Sequence, residues 1–403
     1  MRMDKDTLAQ RNRALTEAYH QRPLKYALRD QLLRAAAAIP LPARPAQRER
    51  VLLIRPDHLG DVLLATPAFR LLREALPGVE LHALVGPWSS DILEGNPDLD
   101  QVLTLSFPGF RRTHAGHVSS PYRQAITDAR RLRRIGYSAA LILRPDHWWG
   151  AMLARWAGIP RRIGFDLPGM RPWLTDCLPL PSAHAVQHNA LLAAHLAGIT
   201  APDRDALALR LSVQESDAAA LDAELQQRGI APARPIIVLH AGAGAAVKLW
   251  TEDSWRSVCS ALMSEHQAAL VLTGSDAEAP LAARLAAAAG PDAHSLAGET
   301  DVRSLAALIR RALLALGPDS GPLHMAAALG TPSVALYGPA DPLEFGPWGS
   351  AERHRAVTSS IACRPCRILD WRGDALENHP CVRDITPTAV LDAARRAIAA
   401  GRA

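Results

Sequence analysis

Cysteine is scarce in this chain, with five residues in 403. That is too few to staple a fold of this size and fits a reducing compartment. No apolar run reaches the roughly 20 residues a membrane-spanning helix needs, and the opening Met1-Arg2-Met3-Asp4-Lys5-Asp6 has no signal-peptide core. The expected location is therefore cytoplasmic. Also missing is a basic stripe interleaved with aromatics, the pattern that stacks and neutralises single-stranded nucleic acid. The overall charge of +5 does not change this, because residues 1–50 hold eleven Lys or Arg against five Asp or Glu. That segment carries +6 and the remainder sums to −1, so no nucleic-acid partner is expected.

What is present is the composition of a globular protein, 48% hydrophobic and 21% charged, in a chain long enough for two domains. Residues 1–50 read as a basic helical extension, with Leu24, Leu28 and Leu32 at helical spacing beside Lys25, Arg29 and Arg34, ending in a proline-rich run over 39–45. Such a helix could lie peripherally on the inner membrane surface, but without Trp or Phe anchors the favoured reading is that it packs on the body or is partly disordered.

From 51 to 200 strand-like runs at 51–55, 79–85, 101–105 and 138–143 alternate with helical patterns, which implies a parallel sheet covered on both faces. Residues 201–234, with prolines around a polar helix, read as a connection. The alternation then resumes over 235–403, with strands expected at 235–240, 269–274, near 313–317 and at 333–337. The expected fold class is α/β of the GT-B type, two Rossmann-like domains whose carboxyl edges face an interdomain cleft.

Two turns stand out. Gly317-Pro318-Asp319-Ser320-Gly321-Pro322-Leu323-His324 joins a strand to a helix that Gly330 ends, so backbone N–H groups there suit an anion such as a nucleotide diphosphate. Pro56-Asp57-His58-Leu59-Gly60-Asp61 follows the run 51–55 and opens a helix expected to reach Leu76, with Asp61 in its first turn. An internal echo links the first half to itself: Ile54-Arg55-Pro56-Asp57-His58 recurs as Leu143-Arg144-Pro145-Asp146-His147, each at the end of an apolar run. Both copies would face the same cleft.

Taken together, the motifs resemble glycosyltransferase family 9, the ADP-heptose:lipopolysaccharide heptosyltransferases and their relatives. They are Gly60-Asp61-Val62 with Thr66-Pro67-Ala68, the run Ala-Arg-Trp-Ala-Gly-Ile-Pro-Arg-Arg-Ile-Gly-Phe at 154–165, Lys248-Leu249-Trp250, Gly274 with Glu278, the turn around Asp319, and Tyr337-Gly338-Pro339 before Asp341-Pro342. The resemblance covers nearly all of 51–390. It implies an inverting, metal-independent transfer of a sugar, heptose in the best-known members, from an ADP-linked nucleotide-sugar to a hydroxyl of a lipopolysaccharide-core or other surface-glycan acceptor. No cofactor is implied, since the nucleotide-sugar is itself a substrate.

By that resemblance Asp61 is the catalytic base, Asp57, His58, Gly60, Asp146 and Trp148 are the acceptor-side candidates, and Trp149 is placed near an acceptor with them. On the donor side Gly242, in the small-residue loop after the strand at 235–240, lets backbone approach phosphate. Lys248 supplies a cation, and Ser320, Gly321 and the N–H groups of Leu323 and His324 complete the anion site. Asp319 is expected to accept sugar hydroxyls or to cap the helix, and Glu278 to meet a ribose hydroxyl. The loop over 241–247 lacks the hydroxyls common there in relatives. Asp98-Leu99-Asp100 has metal-binding spacing but lies in a turn after Asn96-Pro97. Cys363, Cys366 and Cys381 with His379 have the chemistry for zinc but no familiar zinc spacing, so reduced structural thiols and no metal are expected. The alternatives are another GT-B enzyme such as an epimerase, or a nucleotide-sugar-binding paralogue without catalysis.

Overall fold

The computed structural model describes residues 4–21, 24–38, 48–110, 120–371 and 375–402. The proline-rich run at 39–45 lies outside them, as do the side chains of Leu24 and Leu28. Two compact units are present, one of Arg22–Leu209 and one of Met1–Gln21 with Arg210–Ala403, so the chain passes between them at 21/22 and again at 209/210.

The chain opens with α1 (Lys5–His20) and α2 (Leu24–Ala38). They belong to different units. Asp4 caps α1 through its side chain, and the helix docks on the second unit by burying Leu8, Ala9 and Asn12. Asn12 Nδ2 donates to the Asn378 carbonyl at 2.9 Å, Arg13 to the Ala362 carbonyl at 2.6 Å and the Tyr19 hydroxyl to Asp370 at 2.6 Å. In α2 the packed residues are Leu33, Ala36 and Ala37. Leu32, expected on the apolar stripe, is 65% exposed instead.

The first unit is a six-stranded, all-parallel sheet with β1 (Arg50–Arg55), β2 (Glu80–Val85), β3 (Gln101–Thr104), β4 (Ala139–Ile142), β5 (Arg161–Phe165) and β6 (Asp176–Leu178). Its order is β3-β2-β1-β4-β5-β6. The crossovers are α3 (Leu59–Leu63), α4 (Thr66–Ala75), α5 (Ser120–Ile135), α6 (Trp148–Trp156) and α7 (Ala185–Ala197). In α5 Ala125, Ala129 and Leu132 are buried at helical spacing, which seats an otherwise arginine-rich helix on the core. The helix expected to run through Leu76 is in fact two. Leu64 and Ala65 separate α3 from α4, which begins with Pro67 in its first turn, where the missing proline N–H costs nothing.

The second unit repeats the plan. Its strands are β7 (Ile236–His240), β8 (Ala269–Thr273), β9 (Ala293–Ser295), β10 (Leu314–Pro318), β11 (Ser333–Tyr337) and β12 (His354–Thr358), all parallel in the order β12-β11-β10-β7-β8-β9. The helices are α8 (Glu215–Gln227), α9 (Glu252–His266), α10 (Ala279–Ala289), α11 (Val302–Arg311), α12 (Gly321–Leu329), α13 (Pro342–Phe345) and α14 (Pro387–Arg402). Part of the segment read as a connection is α8, which buries Leu221 and Leu225 within this unit. The strands β5, β6, β9 and β12 escape sequence reading because they are three to five residues long and, apart from β5, mostly half-exposed or exposed. Among the described residues no helix is long and apolar enough to cross a membrane.

Candidate functional site

In a doubly wound parallel sheet the chain reverses direction between its two first-formed neighbours, and the ends of those strands splay apart there. In the first unit that point lies between β1 and β4. Arg55 ends β1 and is 3% exposed. Its Nη1 donates to the Leu143 carbonyl at 2.8 Å and lies 3.4 Å from Asn189 Oδ1 on α7, its Nε sits 2.8 Å from Asp57 Oδ2, and its Nη2 is 3.4 Å from Asp61 Oδ1. Arg144, beyond β4, pairs with the other oxygen of Asp57 and donates to Asp146 at 2.7 Å. The two copies of the sequence echo are thereby joined in a row of alternating charge, Asp61, Arg55, Asp57, Arg144, Asp146.

Burial works against the charge on Asp57, but Arg55 and Arg144 outweigh it and hold its carboxyl below the usual range. The expectation that Asp57 meets an acceptor is corrected: two guanidiniums consume it, because a buried carboxylate must be paired. Asp61, in the first turn of α3, keeps 34% of its side chain exposed. His58 is exposed at the N-cap of α3 and makes no capping bond, and Gly60 is buried. Asp146 is exposed and tied to Arg144. Trp148 is half-buried at the start of α6. Trp149 belongs to the core, its indole N–H donating to the Pro121 carbonyl at 3.2 Å, which corrects its placement near an acceptor. His147 is buried against Phe107, Phe110 and Trp149, and burial pushes its pKa down to about 3, so the ring is neutral.

In the second unit the corresponding point lies between β7 and β10. After β7, residues 241–245 run without regular structure to the turn Ala246–Lys248, and Lys248 Nζ meets Asp319 Oδ2 at 2.6 Å just beyond β10. Asp319 does not cap α12. Ser320 holds the N-cap position without a side-chain bond, so the capping expectation is replaced by an ion pair. The Leu323 N–H is also taken, donating to the Ser320 carbonyl at 3.2 Å. His324 is buried, while Ser320 and Gly321 remain partly accessible.

Glu278 accepts from the Ser275 N–H and hydroxyl, both at 2.8 Å, and lies against Gly242, where any Cβ would collide with its carboxylate. Gly317 likewise leaves no room for a Cβ beside the His240 carbonyl. Burial lowers the pKa of His240, with Glu278 opposing, and its ring contacts Thr273 Oγ1 at 3.3 Å. Lys248, paired with Asp319, thus stands near glycines whose missing side chains let backbone and the Glu278 carboxylate pack closely, and glycine backbone of this kind can approach phosphate oxygens.

Asp98-Leu99-Asp100 forms a turn, with the Asp98 N–H on Asn96 Oδ1 at 2.9 Å and Asp100 accepting from the Leu81 N–H at 2.7 Å and pairing with Arg73. Cys363, Cys366 and Cys381 are free thiols. With Asn12, Trp371 and His379 they line a cavity of about 10 Å³, and burial pushes Cys381 up to about 12. The His379 ring is stacked on Trp371 at 4.2 Å. Among the described residues no group of three or more His, Cys, Asp or Glu is arranged to hold a metal ion.

Three residues of this charged row and its surroundings that sequence reading does not single out as site candidates are Arg55, Arg144 and Asn189. The echo holds the signal, since each copy places an arginine two residues before an aspartate at a strand end.

Two parallel sheets of this order define the class, an α/β protein of the GT-B type. The chain belongs to glycosyltransferase family 9 (heptosyltransferase), whose pattern matches residues 127–370, and it is a glycosyltransferase. It is 27% identical over 355 residues to lipopolysaccharide heptosyltransferase 2 of Escherichia coli K12, covering 85% of this chain and 97% of that protein. The fold is similar to a family 9 glycosyltransferase from Veillonella parvula, with TM-score 0.72 and 21% identity over 89% of this chain and 99% of that one. It is also similar to an E. coli heptosyltransferase solved with ADP-2-deoxy-2-fluoro heptose, with TM-score 0.58 and 22% identity over 73% of this chain and 90% of that one.

Proposed function

We propose that this enzyme transfers heptose, with inversion, from ADP-heptose to a hydroxyl of a lipopolysaccharide-core or related surface-glycan acceptor, and that it needs no metal. The observation that carries the proposal is the unlike equipment of the two units: a partly exposed carboxylate, Asp61, beside a buried guanidinium in one, and Lys248 among bare backbone in the other. In an inverting transfer a carboxylate takes the acceptor proton as the bond to an oxocarbenium-like carbon forms. Asp61 has the exposure that role requires. The departing diphosphate needs positive charge, which Lys248 and the amides around Gly242 and Ser320 supply. The named relatives support the sugar and the acceptor class, and the bound donor analogue in the E. coli structure supports an ADP-linked donor.

Asp319 serves in this scheme by holding Lys248 in place rather than by touching the sugar. The enzyme works in the cytoplasm, where nucleotide-sugars are made. The test is ADP release from ADP-heptose with a heptose-deficient lipopolysaccharide core as acceptor, in the presence of EDTA. Turnover with inversion at the anomeric carbon is expected. A requirement for added Mg²⁺ or Mn²⁺, or turnover only with another nucleotide-sugar, would overturn the corresponding part.

A further inference from the structure

We infer that Arg55 is the positioning residue of this active site, aiming one fixed guanidinium nitrogen at Asp61, and that Asp57 tempers its pull. This rests on Asp61 being the base. The argument begins with donor count. A guanidinium carries five N–H groups in one rigid plane, and three elements set that plane here. Nη1 is taken by the Leu143 carbonyl beyond β4 and by Asn189 on α7, and Nε faces Asp57. Asn189 is itself fixed, fully buried and donating to the Leu64 carbonyl at 3.0 Å just beyond α3. The helix that carries Asp61 and the arginine beside it are thus tied to the same asparagine. Only Nη2 is left to turn toward Asp61, at 3.4 Å.

A lysine could not reproduce this, because a single ammonium cannot reach Leu143, Asn189, Asp57 and Asp61 at once. Among the described residues, charged or titratable groups around α3 include Asp57 and His58 in the turn before it, Arg144 and Asp146 beyond β4, and Asp91 on the turn Asp91–Leu93 that packs on α3. Asp91 is exposed and accepts from the Ser90 hydroxyl. On α7, His188 is engaged with the Pro181 carbonyl. Asp57 draws on the same guanidinium as Asp61 and is tied from its other side by Arg144. Its charge therefore opposes ionisation of Asp61 while Arg55 favours it.

The consequence is a pair of shifts of opposite sign. In Arg55→Lys the cation settles on Asp57, so Asp61 should titrate about one pH unit higher, and the acid limb of kcat/KM should move up with it. In Asp57→Asn, Arg55 is left to Asp61 and the limb should move down. The carboxyl titration of Asp61 is followed by ¹³C NMR in the full-length protein, with Asp61→Asn identifying the signal, and kcat/KM for ADP release is followed against pH in the same variants. Opposite shifts in the two variants support the inference. Shifts of the same sign, or no shift in either, overturn it, since damage to folding lowers the rate at every pH without moving the limb. The two failures are distinguishable, because the carboxyl titration reads the pairing directly and turnover reads the base. Normal turnover in Asp61→Asn would count against Asp61 as base, whereas an Asp61 signal that stays put in the Arg55 and Asp57 variants would count against the pairing.

Discussion

The crossover between β1 and β4 is crowded with charge, whereas the one between β7 and β10 holds one ion pair amid glycine and alanine. Both sheets have the same strand order, so the fold alone does not explain the contrast. The first site spends two arginines and two aspartates on fixing the surroundings of one carboxylate. The second pares side chains back, with glycines that leave no room for a Cβ and a lysine held by Asp319. A base must be held ionised and aimed, which takes charged neighbours. A diphosphate brings its own charge and needs donors and room.

The comparison breaks first at Asp61. Asp61→Asn keeps the side-chain shape and removes the proposed base, so turnover should fall by about 10²–10⁴, roughly 3–5 kcal/mol of barrier, with ADP affinity by calorimetry nearly unchanged. Near-normal turnover would return Asp61 to a structural role. Next in size is removal of residues 1–21. Stripping Leu8, Ala9 and Asn12 from the second unit should cost it about 2–4 kcal/mol in apolar burial and hydrogen bonds. Limited proteolysis should show the second unit loosened and the first unaffected, whereas equal loosening of both would deny that α1 is an integral part of the second alone.

Lys248→Ala should weaken ADP binding by about 10–100-fold, the worth of a charged hydrogen bond of roughly 1.5–3 kcal/mol, and lower turnover as well because leaving-group charge grows in the reaction. Unchanged affinity would deny the second site its anion. The smallest effect concerns His147, which is neutral in the fold at about 3 against an ordinary 6.5. Its folded pKa is depressed, so the unfolded chain binds the extra proton and stability is lost as pH falls from 6.5 toward 3. The loss attributable to it is on the order of 1 kcal/mol per pH unit at most. In urea titrations at pH 7 and 5, His147→Phe should lose less stability between the two than the wild type. Asp57, with its depressed carboxyl, supports the fold above the ordinary 3.8 and fails only below it, so it does not enter that window.

Much of this is legible in the chain without its structure. The apolar runs at 51–55, 269–274 and 333–337 are strands because β-branched and leucine residues fill positions buried on both faces. Asp61 and Lys248 are picked out as candidates by the resemblance of their motifs to a family, since local pattern alone reads them as a helix cap and a surface lysine. Asp57 defeats a local reading because its neighbours in sequence place it in an exposed-looking turn, and its burial depends on an arginine 87 residues away. The helix over 59–76 reads as continuous because hydrophobic spacing carries on across Leu64 and Ala65, where the backbone does not.

The sequence by itself determined the two α/β halves and the central parallel strands of each, since these follow from periodicity, while the candidate site residues came from motifs that resemble a family. Only the tertiary structure decided who pairs with whom. Lys248 meets Asp319 across 71 residues, Arg55 meets the Leu143 carbonyl across 88, and Asn12 meets the Asn378 carbonyl across 366. Charge pairing of this kind is set by which strand ends the crossovers bring side by side. A buried charge takes whichever partner the packing delivers, and no local pattern records that choice.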